Sequence, residues 1–320
     1  MSTPNCRLCG DSKTKPVIRN HYEFKGYTIV ACICGAMFTD PSLTEEDLSK
    51  FYLTEYDLMR TNRPDLGRLS HTIQRALAQK EYVLTESGQP MDSSTRILDI
   101  GCNVGSLLAS FRPVTGHLYG LEPGAELGAI ATRRGVTVLG GFLSAIPSLI
   151  TFDLITASHV LEHVSDPDIF LKAIRAHLAP SGRLFIEVPH ESPDFIRATL
   201  GNGAHTYFFT SDTLSRHLHR NGYRIVHLTT SELRREDAIM QGRALRQQFD
   251  HDPWQHMAPR GPLKLQIAWW MPIRLIAYLL TFLFVFVFRS RERTRLYRRH
   301  VAPDSADCGT VLRIIAQLES

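Results

Sequence analysis

The sequence predicts an α/β chain, and three observations predict it. Over residues 96–188, short apolar runs alternate with stretches of helical spacing, the pattern of strands and helices taken in turn. A glycine-bearing turn lies at the end of the first run, in R-I-L-D-I-G-C-N-V-G at residues 96–105. A carboxylate, Glu122, ends the second run about twenty residues after Gly101.

Each element follows in order. Ile97, Leu98 and Ile100 form a buried strand that breaks at Gly101, and residues 106–111 take up helical spacing. A glycine turn from strand into helix lets a ligand lie on bare backbone, facing the N–H groups at the helix start. Between Gly101 and Gly105 stand Cys102 and Asn103, and Asn tolerates left-handed backbone better than other side chains do. The turn suits a nucleotide or nucleoside. Residues 117–122 are the second strand, and an acid at its tip is where an α/β nucleotide site places its acceptor for ribose hydroxyls. The bland reading of Glu122, a solvated loop charge, is outweighed by the strand before it and by Pro123, Gly124 and a helix over 125–134 after it. Residues 136–139 are a third strand and 152–157 a fourth, which ends at Ser158 and His159. Open α/β sheets bind ligands at the carboxyl ends of their strands, and there His159, Glu162 and His163 crowd together. A helix over 168–178 leads to a fifth strand, 183–188, ending in Glu187-Val188-Pro189-His190. A glycine-opened loop carrying His205 and Tyr207 leads to a capped helix over 211–221, and residues 223–230 alternate as a sixth strand.

Four stretches in this order, D-I-G-C-N-V-G, G-L-E-P, F-D-L-I-T-A-S-H-V-L-E-H-V-S-D-P and L-A-P-S-G-R-L-F-I-E-V-P, resemble the class I S-adenosylmethionine-dependent methyltransferases. The resemblance covers residues 96–223 and the last strand. It implies a Rossmann-like seven-stranded mixed sheet whose last strand, 309–318, runs antiparallel. It also implies that Asp99, Gly101, Cys102, Asn103, Gly105, Glu122 and Pro123 hold S-adenosylmethionine, with Phe142, Ser158, His159, Glu162 and His163 completing the pocket. The family often places an acid after the third strand to hold the adenine amino group. Here Gly140-Gly141-Phe142 stands there, so adenine is read by backbone and apolar packing. Histidine accepts a proton best near neutrality, and the resemblance nominates His205 or His190 as general base, with Glu187 and Tyr207 as orienting partners. The alternative for either histidine is a hydrogen-bonded loop residue.

The N-terminus carries Cys6-x-x-Cys9-Gly10 and Cys32-x-Cys34-Gly35 around an alternating stretch. Two short-spaced pairs suit a tetrahedral zinc thiolate site, structural because four sulfurs leave no open position; four free buried cysteines are the alternative. The second pair is C-x-C, which tightens the bite. Thr44 with Asp47 is a capping pair for a helix bearing Leu48, Phe51 and Tyr52. This module resembles the branch of the family that methylates nucleotide-linked sugars and surface glycans, which implies a sugar acceptor, nucleotide-linked or lipid-linked. Residues 66–87 read as a long amphipathic helix beside the sheet. The domains expected are a zinc module over 1–40, a helical linker or lid over 41–95, the methyltransferase domain over 96–231 with 309–320, and a helical insertion over 232–308.

Composition sets the outer limits. With 320 residues, 43% hydrophobic and 21% charged, the chain has the make-up of a globular protein, and a net charge of +4 does not argue for nucleic acid. Of six cysteines, the four near the N-terminus at short spacings read as metal ligands in a reducing, cytoplasmic setting, and residues 1–10 lack an apolar leader. Residues 267–288 are apolar and precede an arginine cluster. A membrane span needs roughly 20 apolar residues, but Pro272 and Arg274 interrupt the run and cations flank both sides. A crossing would also part the last strand from its sheet. A helix over 267–299 lying on the inner membrane surface fits better; a helix buried under the fold or in a homodimer interface is the alternative. Two other functions compete: a methyltransferase of lipids or quinone-like molecules, and a non-catalytic zinc-containing binding protein. The latter needs a basic face, and near the cysteines stand only Arg7, Lys13, Lys15, Arg19 and Lys25.

Overall fold

A computed structural model describes residues 5–19, 27–51, 66–192, 196, 205–231, 300–301 and 311–319. The first three strands are β1 (Thr14–Ile18), β2 (Thr28–Cys32) and β3 (Met37–Asp40), followed by helices α1 (Glu45–Phe51) and α2 (Leu66–Glu86). Thr44 and Asp47 exchange hydrogen bonds at the start of α1, the capping pair expected there. The main sheet then takes β4 (Ile97–Ile100), α3 (Ser106–Phe111), β5 (Leu118–Leu121), α4 (Ala125–Arg133), β6 (Thr137–Gly140), β7 (Phe152–Ser158), α5 (Pro167–Arg175) and β8 (Leu178–Pro189). The chain ends with β9 (Tyr207–Phe208), α6 (Ser211–Arg220), β10 (Tyr223–Ser231), β11 (His300–Val301) and β12 (Val311–Leu318).

The main sheet runs in the order β11-β10-β12-β8-β7-β4-β5-β6. β4 to β8 pair in parallel, while β12 inserts antiparallel between β8 and β10. The seven expected strands are all present, with the last one reversed. The two-residue β11 adds an edge strand from within the expected insertion. β8 starts at Leu178, where a helix end was expected, because Leu178 already pairs with Phe152 before the register shifts.

Strand alternation sorts the side chains into two cores. Leu98, Ile100, Leu184, Ile186, Leu312 and Ile314 face α5, α6 and the cysteine-bearing segment. Ile97, Leu154, Phe185 and Ile315 face α2, α3 and α4. The second face also receives Glu187 and Arg313, directly opposite one another in the β8–β12 register.

The cysteine segment is not closed on itself. Its sheet runs β1-β2-β3-β9, so Tyr207 and Phe208 supply its fourth strand from well inside the stretch expected to be methyltransferase domain. Arginines fix the junction: Arg7 donates to the Thr39 carbonyl at 2.8 Å and the Tyr207 hydroxyl at 3.1 Å. From α6, Arg216 donates to the Cys34 carbonyl, and Arg220 to the Leu8 carbonyl and to Asp168. Among the described residues no helix is long and apolar enough to cross a membrane. The expected membrane-facing helix over 267–299 lies outside the described residues.

Candidate active site

The turn after β4 is built from backbone that few residues adopt. Gly101, Asn103 and Gly105 have φ of 71°, 52° and 73°. At Gly101 a Cβ would also come within 2.9 Å of Val160, so both conformation and space demand glycine. Glu122, just past β5, closes the turn from the other side: its carboxylate accepts from the Asn103 N–H at 2.8 Å and the Gly124 N–H at 2.9 Å. One side chain thus ties the two loops between which a nucleoside would lie. Pro123 follows it, and Phe142, past β6, leaves 43% of its surface exposed at the same edge.

Asp99 points from β4 toward α2, is buried, and accepts from the Thr156 hydroxyl at 2.6 Å. Burial raises its pKa to about 7 against the opposing pull of the Thr156 bond, with the Glu122 charge adding to the rise. Cys102 packs in the same layer, where a Cβ on Gly120 would lie 2.5 Å from its sulfur, so β5 must be bare at that point.

At the carboxyl ends of β7 and β8, Ser158 stands opposite Glu187. Glu187 is 1% exposed and receives Arg75 Nε at 2.9 Å, Gln79 Nε2 at 2.7 Å, Ser158 Oγ at 3.1 Å and Arg313 Nε at 2.7 Å. Burial alone would hold this carboxylate neutral; Arg75 and Arg313 prevail and keep it well below the usual carboxylate range. Glu187 is therefore the anchor of α2 over the strand ends, and Arg75, Gln79 and Arg313 are partners that the sequence did not reveal. Their one legible signal was that α2 carries polar residues on a helix meant to pack.

Directly after Ser158, His159 adopts φ 54°, a strained conformation for a non-glycine residue. Its Nδ1 lies 3.0 Å from Glu162, its Nε2 3.7 Å from Glu187, and its side chain is 31% exposed. Glu162 is fully buried in the short 3-10 turn Leu161–His163. Burial opposes its ionisation, but the His159 hydrogen bond and the neighbouring His159, His163 and His205 hold its pKa down to about 2. His163 and His205 stack edge to face at 4.8 Å. His205 is 4% exposed, with Nδ1 3.0 Å from Glu191, a residue absent from the sequence reading. His190 is half-buried and bridges to Phe209. Tyr207 is turned away from this cluster: its hydroxyl accepts from Arg7 in the junction with the cysteine segment.

The four N-terminal sulfurs converge. Cys6 and Cys34 lie 3.6 Å apart, as do Cys9 and Cys32, and all four sulfurs fall within 4.8 Å of one another. A Zn–S bond of about 2.3 Å places tetrahedral sulfurs about 3.8 Å apart, so the donor set fits a closed thiolate site.

A profile of the family described as "Methyltransferase domain" matches residues 59–228, more than half of the chain. The chain is 28% identical over 145 residues to a "Ubiquinone biosynthesis O-methyltransferase" of Nitrobacter winogradskyi, covering 40% of this chain and 56% of that one. It is 24% identical over 254 residues to the "C-methyltransferase NovU" of Streptomyces niveus, covering 71% of this chain and 58% of that one. The chain thus spans just over half the length of these curated relatives. In structure it is similar to phosphoethanolamine N-methyltransferase 2 of Haemonchus contortus in complex with S-adenosyl-L-methionine. The TM-score is 0.51 at 14% identity, over 89% of this chain and 62% of that one, a likeness of fold.

Proposed function

The chain belongs to the methyltransferase-domain family, and from that premise we propose that it transfers the methyl group of S-adenosylmethionine to an oxygen or an acidic carbon of a small-molecule acceptor. Asp99, Gly101, Cys102, Asn103, Gly105, Glu122 and Pro123 form the cofactor side of the site, with Phe142 against adenine and Glu122 accepting from the ribose hydroxyls. The sulfonium activates the methyl group, so the protein's task is alignment of donor and acceptor and removal of one proton from the acceptor. The observation that carries this reading is the His159–Glu162 pair at the end of β7: a strained, accessible imidazole held at 3.0 Å by a fully buried carboxylate. His159 takes the role of base in preference to His205 and His190: it is more accessible than His205, and its neighbour Val160 abuts Gly101 of the cofactor turn.

An acceptor with an ionisable O–H or C–H is supported by this machinery, and an O- and a C-methyltransferase stand among the relatives. The sugar acceptor rests mainly on the likeness of the cysteine module. A quinone-like phenol agrees with the printed name of the O-methyltransferase relative. The test is methyl transfer from labelled S-adenosylmethionine to phenols, sugar nucleotides and amines. Phenols or sugar nucleotides are expected to be labelled and amines not, and His159→Ala should lower kcat by about 10²–10⁴. Transfer to amines, or full kcat in the variant, would overturn the reading.

Asp99 gives a second expectation. Its neutral form is populated near pH 7, while a cationic sulfonium beside it favours the carboxylate and lowers its pKa by about 1–3 units. Cofactor affinity should therefore rise on the order of tenfold between pH 5.5 and 8, with proton release on binding measured by calorimetry in two buffers. Asp99→Asn should flatten that profile.

Cys6, Cys9, Cys32 and Cys34 are assigned a structural zinc. Cys6 and Cys32 lie in the same core as α6, so losing the metal should loosen both. Cys6→Ser is expected to drop zinc content by one ion per chain and to lower Tm by several degrees, on the order of 2–4 °C per kcal/mol lost. Elemental analysis and thermal melting check both.

A further inference from the structure

Besides the cysteine quartet, one other convergent donor set exists among the described residues: Glu162, His163 and His205, whose ligating atoms all lie within 4.8 Å of one another. We propose that these three residues bind a divalent first-row metal ion beside the methyl-transfer site.

The geometry is held by backbone. Glu162 and His163 occupy the 3-10 turn after β7, and His205 stands one residue short of β9, with Thr206 between. Thr206 ties the two segments: its N–H donates to the Glu162 carbonyl at 2.8 Å and its hydroxyl to the Val164 carbonyl at 2.5 Å. The His163 Nε2 stands 3.8 Å from Glu162 Oε1, close enough for one ion to bridge the pair after small side-chain rotations.

Charge makes the case for a cation. Glu162 and Glu191 are 0% and 1% exposed, and among the described residues neither forms an ion pair with Lys or Arg. Their ion-pair partners are imidazoles rather than fixed cations. Glu162 Oε2 and Glu191 Oε1 are buried without a hydrogen bond. Glu187, a strand away, shows how this fold treats a buried carboxylate that is meant to stay ionised: it meets Arg75 and Arg313. Two buried carboxylates without such cations call for two positive charges, which a divalent ion supplies.

The outer contacts fit as well. A metal-ligating histidine usually donates its second N–H to a carboxylate, which fixes the tautomer; Glu191 stands 3.0 Å from His205 Nδ1 and leaves Nε2 as the ligand. Two imidazoles and a carboxylate suit Mn(II), Fe(II) or Zn(II), unlike the soft four-thiolate set, and they leave positions for oxygen ligands. Resting on the methyl-transfer reading, an acceptor hydroxyl would occupy one such position. It loses its proton to His159, its oxygen bonds to the methyl carbon, and the methyl–sulfur bond breaks to leave S-adenosylhomocysteine.

The test is titration of Mn(II) into full-length protein already loaded with one zinc, followed by the electron paramagnetic resonance of free Mn(II). One Mn(II) per chain is expected. Affinity should fall at least tenfold in Glu162→Gln and in His163→Ala, and about 10–100-fold in Glu191→Gln. Thermal melting of every variant reports folding, and calorimetry with S-adenosylmethionine on the unsubstituted protein reports the neighbouring cofactor site. Protein that binds the cofactor and leaves Mn(II) free, or variants that bind Mn(II) undiminished, would overturn the proposal. Mn(II) lost only with the triad, in protein that binds no cofactor, would sustain the metal site and sink the methyl-transfer reading.

Discussion

Glu122→Ala is expected to weaken S-adenosylmethionine binding by about 100-fold or more. The carboxylate does two things at once in the site. It accepts from the Asn103 and Gly124 N–H groups at 2.8 and 2.9 Å, and charge-assisted bonds of this kind contribute about 1.5–3 kcal/mol each. Without them the turn through Gly101, Asn103 and Gly105, already in sparsely populated backbone, loses the contact that fixes its shape. The ribose hydroxyls lose their proposed acceptor in the same step. Glu122→Gln keeps one acceptor oxygen and should fall between the two. Calorimetric titration of both variants decides it; an alanine variant with unchanged Kd would remove Glu122 from the cofactor site.

The largest effect on stability is expected from Glu187. Arg313 is 0% exposed and paired with Glu187 Oε2 at 2.7 Å, so Glu187→Leu leaves a guanidinium buried against an apolar neighbour. Breaking one side of a buried pair costs about 3–5 kcal/mol, which for a domain of this size corresponds to a fall in Tm on the order of 10 °C. Arg75→Ala should cost less, because Arg75 is 26% exposed and Arg313 remains. The pH dependence follows from the depressed pKa. Glu187 stabilises the fold at every pH above the usual carboxylate range, and that contribution is lost as pH falls through and below that range. Glu187→Gln should therefore flatten the acid limb of the stability profile. Thermal melts from pH 3 to 8 test this, and a variant melting with the wild type at neutral pH would show that the pair is not holding α2 to the sheet.

The reversal of the last strand came from the family resemblance; the sequence by itself determined the order of strands and helices in the main sheet, the glycine turn with its distal acid, and the two cysteine pairs. These are local facts. Strand alternation, positive-φ tolerance, helix caps and short ligand spacings are written within short stretches of chain, as in the turn over 96–105 and in the pairs Cys6 with Cys9 and Cys32 with Cys34. What only the tertiary structure decided depends on residues far apart in the chain. Arg75, Glu187 and Arg313 meet because the β8–β12 register sets two of them opposite each other on the face that α2 covers. Tyr207, expected beside the acceptor, is instead drawn into the β1-β2-β3-β9 sheet by pairing with Phe38. Glu191 gains meaning only when His205 returns to it across the loop, and Glu162 only when three imidazoles surround it. A buried charge is tolerated where its partners converge, and convergence is a property of the folded sheet rather than of any stretch of sequence.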